Sequence, residues 1–189
     1  MEYNQMADKL SNILKAKRFQ HSLGVSQSAA ELAVRYGEDV DKAKVTGLLH
    51  DCARSLSSNN LLQMAQAFAI VVNDVERQQP MLLHAPVGAK LARNEYGVDD
   101  PQILKAIALH TTGGRDMATL EKIIYLADCI EPSRDFPGIN RLRRLAFIDL
   151  DKAMIAAFDQ SLHYVIEQGL LIHPATIEGR NHLLLRQNK

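Results

Sequence analysis

A histidine and an aspartate stand side by side at the end of an apolar run, Gly47-Leu48-Leu49-His50-Asp51. Consecutive residues of a helix point about 100° apart, but at a helix end both side chains can still turn toward one ion. A polar pair that closes an apolar helix needs a partner, and a bound cation is one solution. The dipeptide alone is weak evidence for a metal site. Further ligands must come from elsewhere in the chain.

Apolar residues recur at helical spacing along most of the chain. The predicted helices cover residues 3–16, 21–36, 42–51, 61–68, 86–96, 101–110, 117–128, 149–168 and 174–186. Asp41 and Asp116 are predicted N-caps, and Asp100-Pro101 is a helix start signal. Residues 70–72 are predicted as an extended connection, 80–86 as a broken segment and 133–138 as a loop, which a basic patch follows at Arg141, Arg143 and Arg144. The sequence therefore predicts one all-α domain, 1–189, with a metal core at about 18–135 and C-terminal helices 138–186 completing the pocket.

Composition argues against two classes of partner. The 22 basic residues balance the 22 acidic residues, whereas general nucleic-acid binders usually carry a basic excess. No apolar run reaches the roughly 18 residues of a membrane span, and the N-terminus lacks a signal pattern. Cys52 and Cys129 are too few for a disulfide framework. We expect a cytoplasmic protein that binds neither nucleic acid nor a membrane.

Five polar residues flank or end strongly apolar helical stretches. They are His21, His50, Asp51, His110 and Asp128. Each alone has an ordinary explanation, as a hydrogen-bonded core histidine or a helix-end acid. One shared cation would explain all of them, because carboxylates are almost never buried unpaired. Imidazole and carboxylate ligands together suit iron, manganese, cobalt or zinc rather than calcium.

The order His21, His50-Asp51, Asp128 resembles the metal-dependent phosphohydrolases of the HD-domain superfamily. His84 and His110 match the additional histidines that many of these enzymes place before the last aspartate. The resemblance is closer still to the YqeK family and covers essentially the whole chain. The segments that carry it are Lys17–Ser22, Leu48–Asp51, His110–Gly113, Ala127–Gly138 and Ile172–Asn181. Arg54 stands where a lysine is common, which keeps the charge.

The resemblance implies a single-domain HD-type helical bundle that cleaves diadenosine tetraphosphate symmetrically into two ADP. It also implies a transition metal, iron in the first place, and a homodimer. We assign His21, His50, Asp51 and Asp128 to the first metal, with Asp51 and a metal-activated water as the catalytic groups. His84 and His110 would hold a second metal or contact phosphate directly.

Arginines beside the ligand motifs are the candidates for phosphate contacts, because a guanidinium can grip two phosphate oxygens at once. The predicted substrate-binding residues are Arg18, Arg54, His84, His110, Thr111, Gly113, Arg134, His173, Arg180 and Asn181. Thr111 and Gly113 would act from the loop after His110. The segment 171–181 is expected to line the nucleotide pocket.

Two alternatives stay open. One is another HD nucleotide phosphohydrolase, either a nucleotidase or an alarmone hydrolase. The Gly-Tyr-Pro signature of cyclic-dinucleotide phosphodiesterases is absent, which weakens that branch. The other is a non-catalytic nucleotide sensor built on the same scaffold. Every ligand position is filled in this chain, which favours an enzyme over a sensor.

Overall fold

The computed structural model describes residues 1–187, and its regular secondary structure over that range consists of helices, without a β-strand. The helices are α1 Tyr3–Ser11, α2 Ala16–Tyr36, α3 Val40–Leu49, α4 Ser58–Ala67, α5 Asp74–Gln78, a 3₁₀ helix Pro80–Leu83, α6 His84–Tyr96, α7 Pro101–Leu109, α8 Thr119–Ile130, α9 Ile139–Ala146, α10 Leu150–Glu167 and α11 Pro174–Gln187. The all-α prediction is confirmed. None of these helices is long and apolar enough to traverse a lipid bilayer.

The helices that carry the predicted ligands pack directly on one another. Helix α2 lies against both α3 and α8, and α7 lies against α3, α6 and α8. Their apolar faces share one core in which Val25 and Ile123 are fully buried. Helix α3 approaches α2 so closely that a β-carbon on Gly47 would lie 2.7 Å from Ser26 Cα. Glycine at this position therefore brings the C-terminal end of α3 beside α2.

The last three helices cover the α8 side of this core. Helix α10 packs against α8, α9 and α11. Its residues Met154 and Phe158 are fully buried in the same apolar cluster as the residues of α8. Each such side chain stabilises the fold by about 1.5–3 kcal/mol relative to an exposed one. The C-terminal helices thus share a continuous core with the ligand-bearing helices.

The predicted boundaries at the first three helices need correction. Helix α1 ends at Ser11 and α2 begins at Ala16. The side chains of Ser11 and Asn12 donate back to the Asp8 carbonyl, and such bonds compete with helix continuation. The N-cap of α3 is Asp39 rather than Asp41, since its carboxylate accepts the Asp41 and Lys42 amides. Asp41 lies in the first turn, where an acid also favours the helix dipole.

Two further corrections concern short helices. The predicted cap Asp116 does not cap α8, because its φ of 55° is left-handed and its carboxylate faces His182. Helix α8 begins at Thr119, where Glu121 accepts from the Ala118 amide. The structure adds three short helices that the sequence does not predict, namely α5, the 3₁₀ helix and α9. Segments of four to eight residues have too few turns for periodicity to reveal them.

Candidate metal centre

Four imidazoles and two carboxylates converge where several helices end. His50 and His110 are the C-cap residues of α3 and α7, and His84 is the first residue of α6. His21 and Asp128 lie within α2 and α8, and Asp51 follows His50. All are buried except Asp128, whose side chain is 21% exposed. The six residues predicted to meet are therefore brought together.

The Nδ1 atom of each histidine faces an oxygen that can only accept. His50 Nδ1 donates to Gly47 O at 2.7 Å, and His110 Nδ1 donates to Ile107 O at 2.7 Å. His84 Nδ1 donates to the Met81 carbonyl. His21 Nδ1 lies 2.9 Å from Glu131 Oε1. These partners place the proton on Nδ1 and leave an Nε2 lone pair directed at the centre in each neutral ring.

The Nε2 atoms form two groups on either side of Asp51. We call His21, His50 and Asp128 the Asp128 face, and His84 and His110 the His84 face. On the Asp128 face, His21 Nε2 lies 3.0 Å from Asp128 Oδ1. On the His84 face, the two Nε2 atoms are 3.1 Å apart. Ligands held about 2.0–2.2 Å from one ion lie roughly this far from each other.

Asp51 is shared by the two faces. Its Oδ1 lies 3.1 Å from His84 Nε2, and its Oδ2 lies 3.6 Å from His50 Nε2. Oδ2 also accepts from Arg18 Nη1 at 2.8 Å. The cluster is continuous, because His50, His110 and Asp128 also present ligand atoms within 4.8 Å of one another. A carboxylate in this position can bridge two cations or hold one.

The two faces differ in how well their nitrogens are satisfied. His21 Nε2 and His50 Nε2 are buried without a hydrogen-bond partner, although His21 Nε2 is close to Asp128. On the His84 face, the Thr111 hydroxyl lies 3.1 Å from both Nε2 atoms. Buried acceptors without partners are costly. The donor set of the Asp128 face therefore fits a divalent transition metal, which would satisfy both nitrogens.

The pKa shifts of the cluster residues favour the protonation states that bind a cation. Burial lowers the pKa of His50 to about 4, so this ring is neutral at physiological pH. Burial alone would raise the pKa of Asp51, but His50, His110 and His84 hold it well below the ordinary range. Asp128 follows the same pattern, with its pKa lowered mainly by His21 and His50. The site thus offers a neutral imidazole at His50 and ionised carboxylates at Asp51 and Asp128, which are the protonation states that metals require.

A turn after α8 braces the Asp128 face. Glu131, 1% exposed, accepts from the Ser133 amide at 2.8 Å and from the Ser133 hydroxyl. Arg134 donates to the carbonyl and the carboxylate of Asp128. From α9, Arg143 donates to the carbonyls of Ile130, Glu131 and Arg134 at 2.9–3.0 Å.

Sequence reasoning missed Glu131 and Arg143. A spacing of three residues from Asp128, which puts Glu131 on the same helix face, was the available signal.

A cavity of about 460 Å³ opens directly onto the cluster. It lies between the turn after α8 and the helices α8, α9 and α10. The residues that line it are His110, Thr111, Tyr125, Asp128, Cys129, Arg134, Phe136, Leu142, Ala157, Gln160, Ser161 and Tyr164. The aromatic and polar side chains from α10 were not predicted, because they look like an ordinary amphipathic helix. Of the predicted substrate residues, His110, Thr111 and Arg134 reach this cavity.

The other predicted substrate residues lie in different surroundings. Arg54 is partly buried three residues after Asp51, and its side chain makes no hydrogen bond or ion pair within residues 1–187. The Gly113 amide donates to Leu109 O at 2.8 Å and the residue packs on Phe158, and its contact with substrate stays a prediction.

The predicted tail residues do not line the cavity. His173 Nε2 lies 2.9 Å from Asn73 Nδ2, and Arg180 pairs with Asp159. Asn181 is exposed on α11. The tail reaches the site only indirectly, through the Thr176 hydroxyl, which donates to Thr112 O at 2.8 Å.

Comparisons with known proteins agree with this geometry. The family model described as HD domain matches residues 18–133, a range that contains all six clustered residues. Two proteins named "Bis(5'-nucleosyl)-tetraphosphatase, symmetrical" are similar over nearly their full length. The protein of Halalkalibacterium halodurans is 38% identical, covering 92% of each chain. The protein of Bacillus subtilis is 37% identical, covering 90% of this chain and 91% of its own.

A solved structure is also similar. It is the crystal structure of a predicted HD superfamily hydrolase involved in NAD metabolism from Clostridium acetobutylicum. The TM-score is 0.96 at 42% identity, and the match covers 98% of both chains. The helical arrangement described above is therefore that of an HD superfamily protein.

Proposed function

The chain belongs to the HD domain family, within the group of the symmetrical bis(5'-nucleosyl)-tetraphosphatases, and we propose that it hydrolyses diadenosine tetraphosphate to two ADP. The reaction is the metal-dependent hydrolysis of the central phosphoanhydride. The observation that carries the proposal is the buried cluster of Nε2 lone pairs and carboxylates beside a 460 Å³ cavity. Such a volume lies within the range of small-molecule and cofactor pockets.

We assign His21, His50, Asp51 and Asp128 to a first, firmly held metal. The orphaned nitrogens of the Asp128 face support this choice. Iron is our first choice, with manganese, cobalt or zinc also compatible with the ligands. When bound, such a metal neutralises phosphate oxygens and lowers the pKa of water toward neutrality. His84 and His110, one of which can accept from the Thr111 hydroxyl, would hold a weaker second metal or contact phosphate.

Three arginines are our candidates for contacts with the phosphate chain. Arg18 pairs with Asp51, and Arg134 pairs with Asp128, so both stand at the edge of the ligand cluster. Arg54 has no competing carboxylate in the described part of the chain, which leaves its guanidinium free for a phosphate. A charge-assisted pair of this kind gives both affinity and orientation. Asp51 holds Arg18 in place while remaining ionised.

The cavity beside the cluster suits one nucleoside of the substrate. Phe136 and Tyr164 offer aromatic faces for a base, and Gln160 and Ser161 offer polar groups for its edge or the ribose. A substrate seated here would run its first two phosphates past Arg134 toward the ligands. Cleavage between the second and third phosphates follows from that placement. His173, Arg180 and Asn181 stay predictions for this pocket.

We also propose a homodimer in the cytoplasm. Large apolar side chains at the C-terminal end of α10 and after it support the dimer, since Ile166 and Leu171 are 62% and 48% exposed. Residues 18–135 would form the metal core, and 138–186 would complete the pocket within the single domain 1–189.

The test combines elemental analysis of the purified protein with product analysis. Diadenosine tetraphosphate is incubated with metal-free protein and with protein loaded with iron(II) or manganese(II). We expect two ADP per substrate and only in the loaded samples. ATP plus AMP would mean asymmetric cleavage and would contradict the proposal. Tight nucleotide binding without turnover would favour a sensor, and preferred cleavage of mononucleotides or alarmones would favour another HD phosphohydrolase.

A further inference from the structure

Glu131 is the carboxylate that touches the ligand cluster without belonging to it. Its Oε1 lies 2.9 Å from His21 Nδ1, on the side of the ring opposite the cluster. The other three histidines have backbone carbonyls in this role. A carboxylate behind a metal-binding imidazole fixes the ring's tautomer and raises the basicity of its far nitrogen. His21 is thus the one clustered histidine within residues 1–187 whose Nδ1 faces a carboxylate rather than a backbone carbonyl.

The same carboxylate also closes the turn that carries Arg134. Glu131 accepts from the amide and the hydroxyl of Ser133, and its backbone carbonyl accepts from the Arg134 amide at 3.0 Å. Helix α2 leaves room for the carboxylate only because residue 24 is glycine. A β-carbon there would lie 2.7 Å from Glu131 Oε2.

We propose that Glu131 is a positioning residue that holds His21 in the Nδ1-protonated form for metal binding and ties that ring to the Arg134 turn. The inference rests on the proposed function only in taking His21 as a metal ligand. We therefore expect Glu131 to strengthen metal binding at His21. We also expect it to hold Arg134, the proposed phosphate-binding arginine, at a fixed position relative to that metal site. Removing an outer partner of this kind typically costs 10–100-fold in metal affinity or activity.

The first test is Glu131→Gln, which keeps the shape but cannot accept hydrogen bonds at both ends. Tautomers are read in the metal-free protein from two-bond ¹H–¹⁵N couplings of the His21 ring. Cobalt(II) is titrated alone and followed by its visible absorption. We expect a mixed tautomer at His21 and about 10–100-fold weaker cobalt binding. Unchanged tautomer and unchanged affinity would overturn the proposal.

The matched control is Glu121→Gln on the same helix. Glu121 is 3% exposed, accepts from the Ala118 amide at 3.0 Å and pairs with Lys105 at 2.9 Å. Its loss removes a buried carboxylate and its bonds far from the ligands. This variant should show a comparable loss of thermal stability with unchanged His21 tautomer and cobalt affinity. An equal loss of cobalt affinity in both variants would mean a structural effect only and would reject the positioning role.

A second variant decides the case even if Glu131→Gln fails to fold. Gly24→Ala retains Glu131 but requires its carboxylate to shift, because the new β-carbon would lie 2.7 Å from Oε2, whereas Gly88→Ala introduces only ordinary contacts at 3.6 Å. We expect weaker cobalt binding for Gly24→Ala and no change for Gly88→Ala. Equal affinities would overturn the proposal. None of these measurements uses the tetraphosphate. They therefore test the role of Glu131 even if the protein does not cleave the tetraphosphate, and a negative result for Glu131 does not contradict the proposed hydrolysis.

Discussion

The two faces of the ligand cluster present the same kind of nitrogen but differ in hydrogen bonding, because only the His84 face has a donor nearby, the Thr111 hydroxyl, which can serve one Nε2 atom at a time. On the Asp128 face, two buried Nε2 atoms have no hydrogen-bond partner, and a carboxylate stands behind His21. On the His84 face, both Nε2 atoms have the Thr111 hydroxyl beside them, and both rings are backed by carbonyls. The Asp128 face thus gains more from an ion than the His84 face does. We infer that affinity for metal is unequal across Asp51.

Removal of Asp51 should have the largest effect, because it breaks both faces at once. For Asp51→Ala we expect turnover to fall by more than about 100-fold, beyond the usual cost of losing an outer partner, together with loss of bound metal. Steady-state kinetics and elemental analysis measure both. Asp39→Ala, at the other end of α3, is the control. It removes an N-cap at a cost of about 1 kcal/mol but no ligand. Metal content and rate equal to the unaltered protein would reject the shared role of Asp51.

Single histidine variants separate the faces. His21→Ala should lose the tightly held metal and nearly all activity, because it removes a ligand of the Asp128 face. His84→Ala should keep that metal and lose roughly 10-fold in turnover or substrate affinity, a charge-assisted contact being worth about 1.5–3 kcal/mol. Elemental analysis after dialysis distinguishes the two. If His84→Ala releases metal more readily than His21→Ala, the order of affinities is reversed.

The faces also differ in their response to pH. The pKa of His50 is about 4 against an ordinary 6.5. Between these pH values the unfolded chain is protonated at this residue and the folded chain is not. Stability of the metal-free protein must then fall as pH drops from 6.5 to 4, by about 3 kcal/mol from this residue. On the His84 face burial lowers the pKa of His84, whereas for His110 burial is outweighed by the hydrogen bond to Asp51 and the nearby carboxylate charges, so its pKa is raised. Their contributions oppose each other.

Urea unfolding between pH 4 and 7 measures this slope. The carboxylates Asp51 and Asp128 have lowered pKa values, so their stabilisation is lost only below about pH 4 and does not enter the window. His50→Gln should flatten the curve. An equally steep curve in that variant would show that His50 is not the group responsible.

The clustering of the proposed ligands could be predicted from the sequence, and most of the pocket could not. His50, Asp51 and Asp128 stand out because imidazoles and carboxylates at the ends of apolar helical runs need a partner. Phe136, Gln160 and Tyr164 carry no such signal. They line the cavity only because α9 and α10 pack over α8, and such long-range packing leaves no mark in local periodicity.

The smallest effects should separate the arginines near the cluster from those of the tail. Arg54 has no competing acid within residues 1–187, so Arg54→Ala should raise the KM for the tetraphosphate about 10-fold or more, with kcat less affected. Arg180 already pairs with Asp159 and its side chain is 30% exposed. Arg180→Ala should therefore change KM by no more than about 2-fold, as for an exposed ion pair. Thermal unfolding of both variants shows whether either has lost its fold.

A rise in KM for Arg180→Ala as large as that for Arg54→Ala would mean that the C-terminal tail contacts the substrate. The nucleotide would then extend past α10 to α11, and the cavity beside Asp128 would be only its inner half.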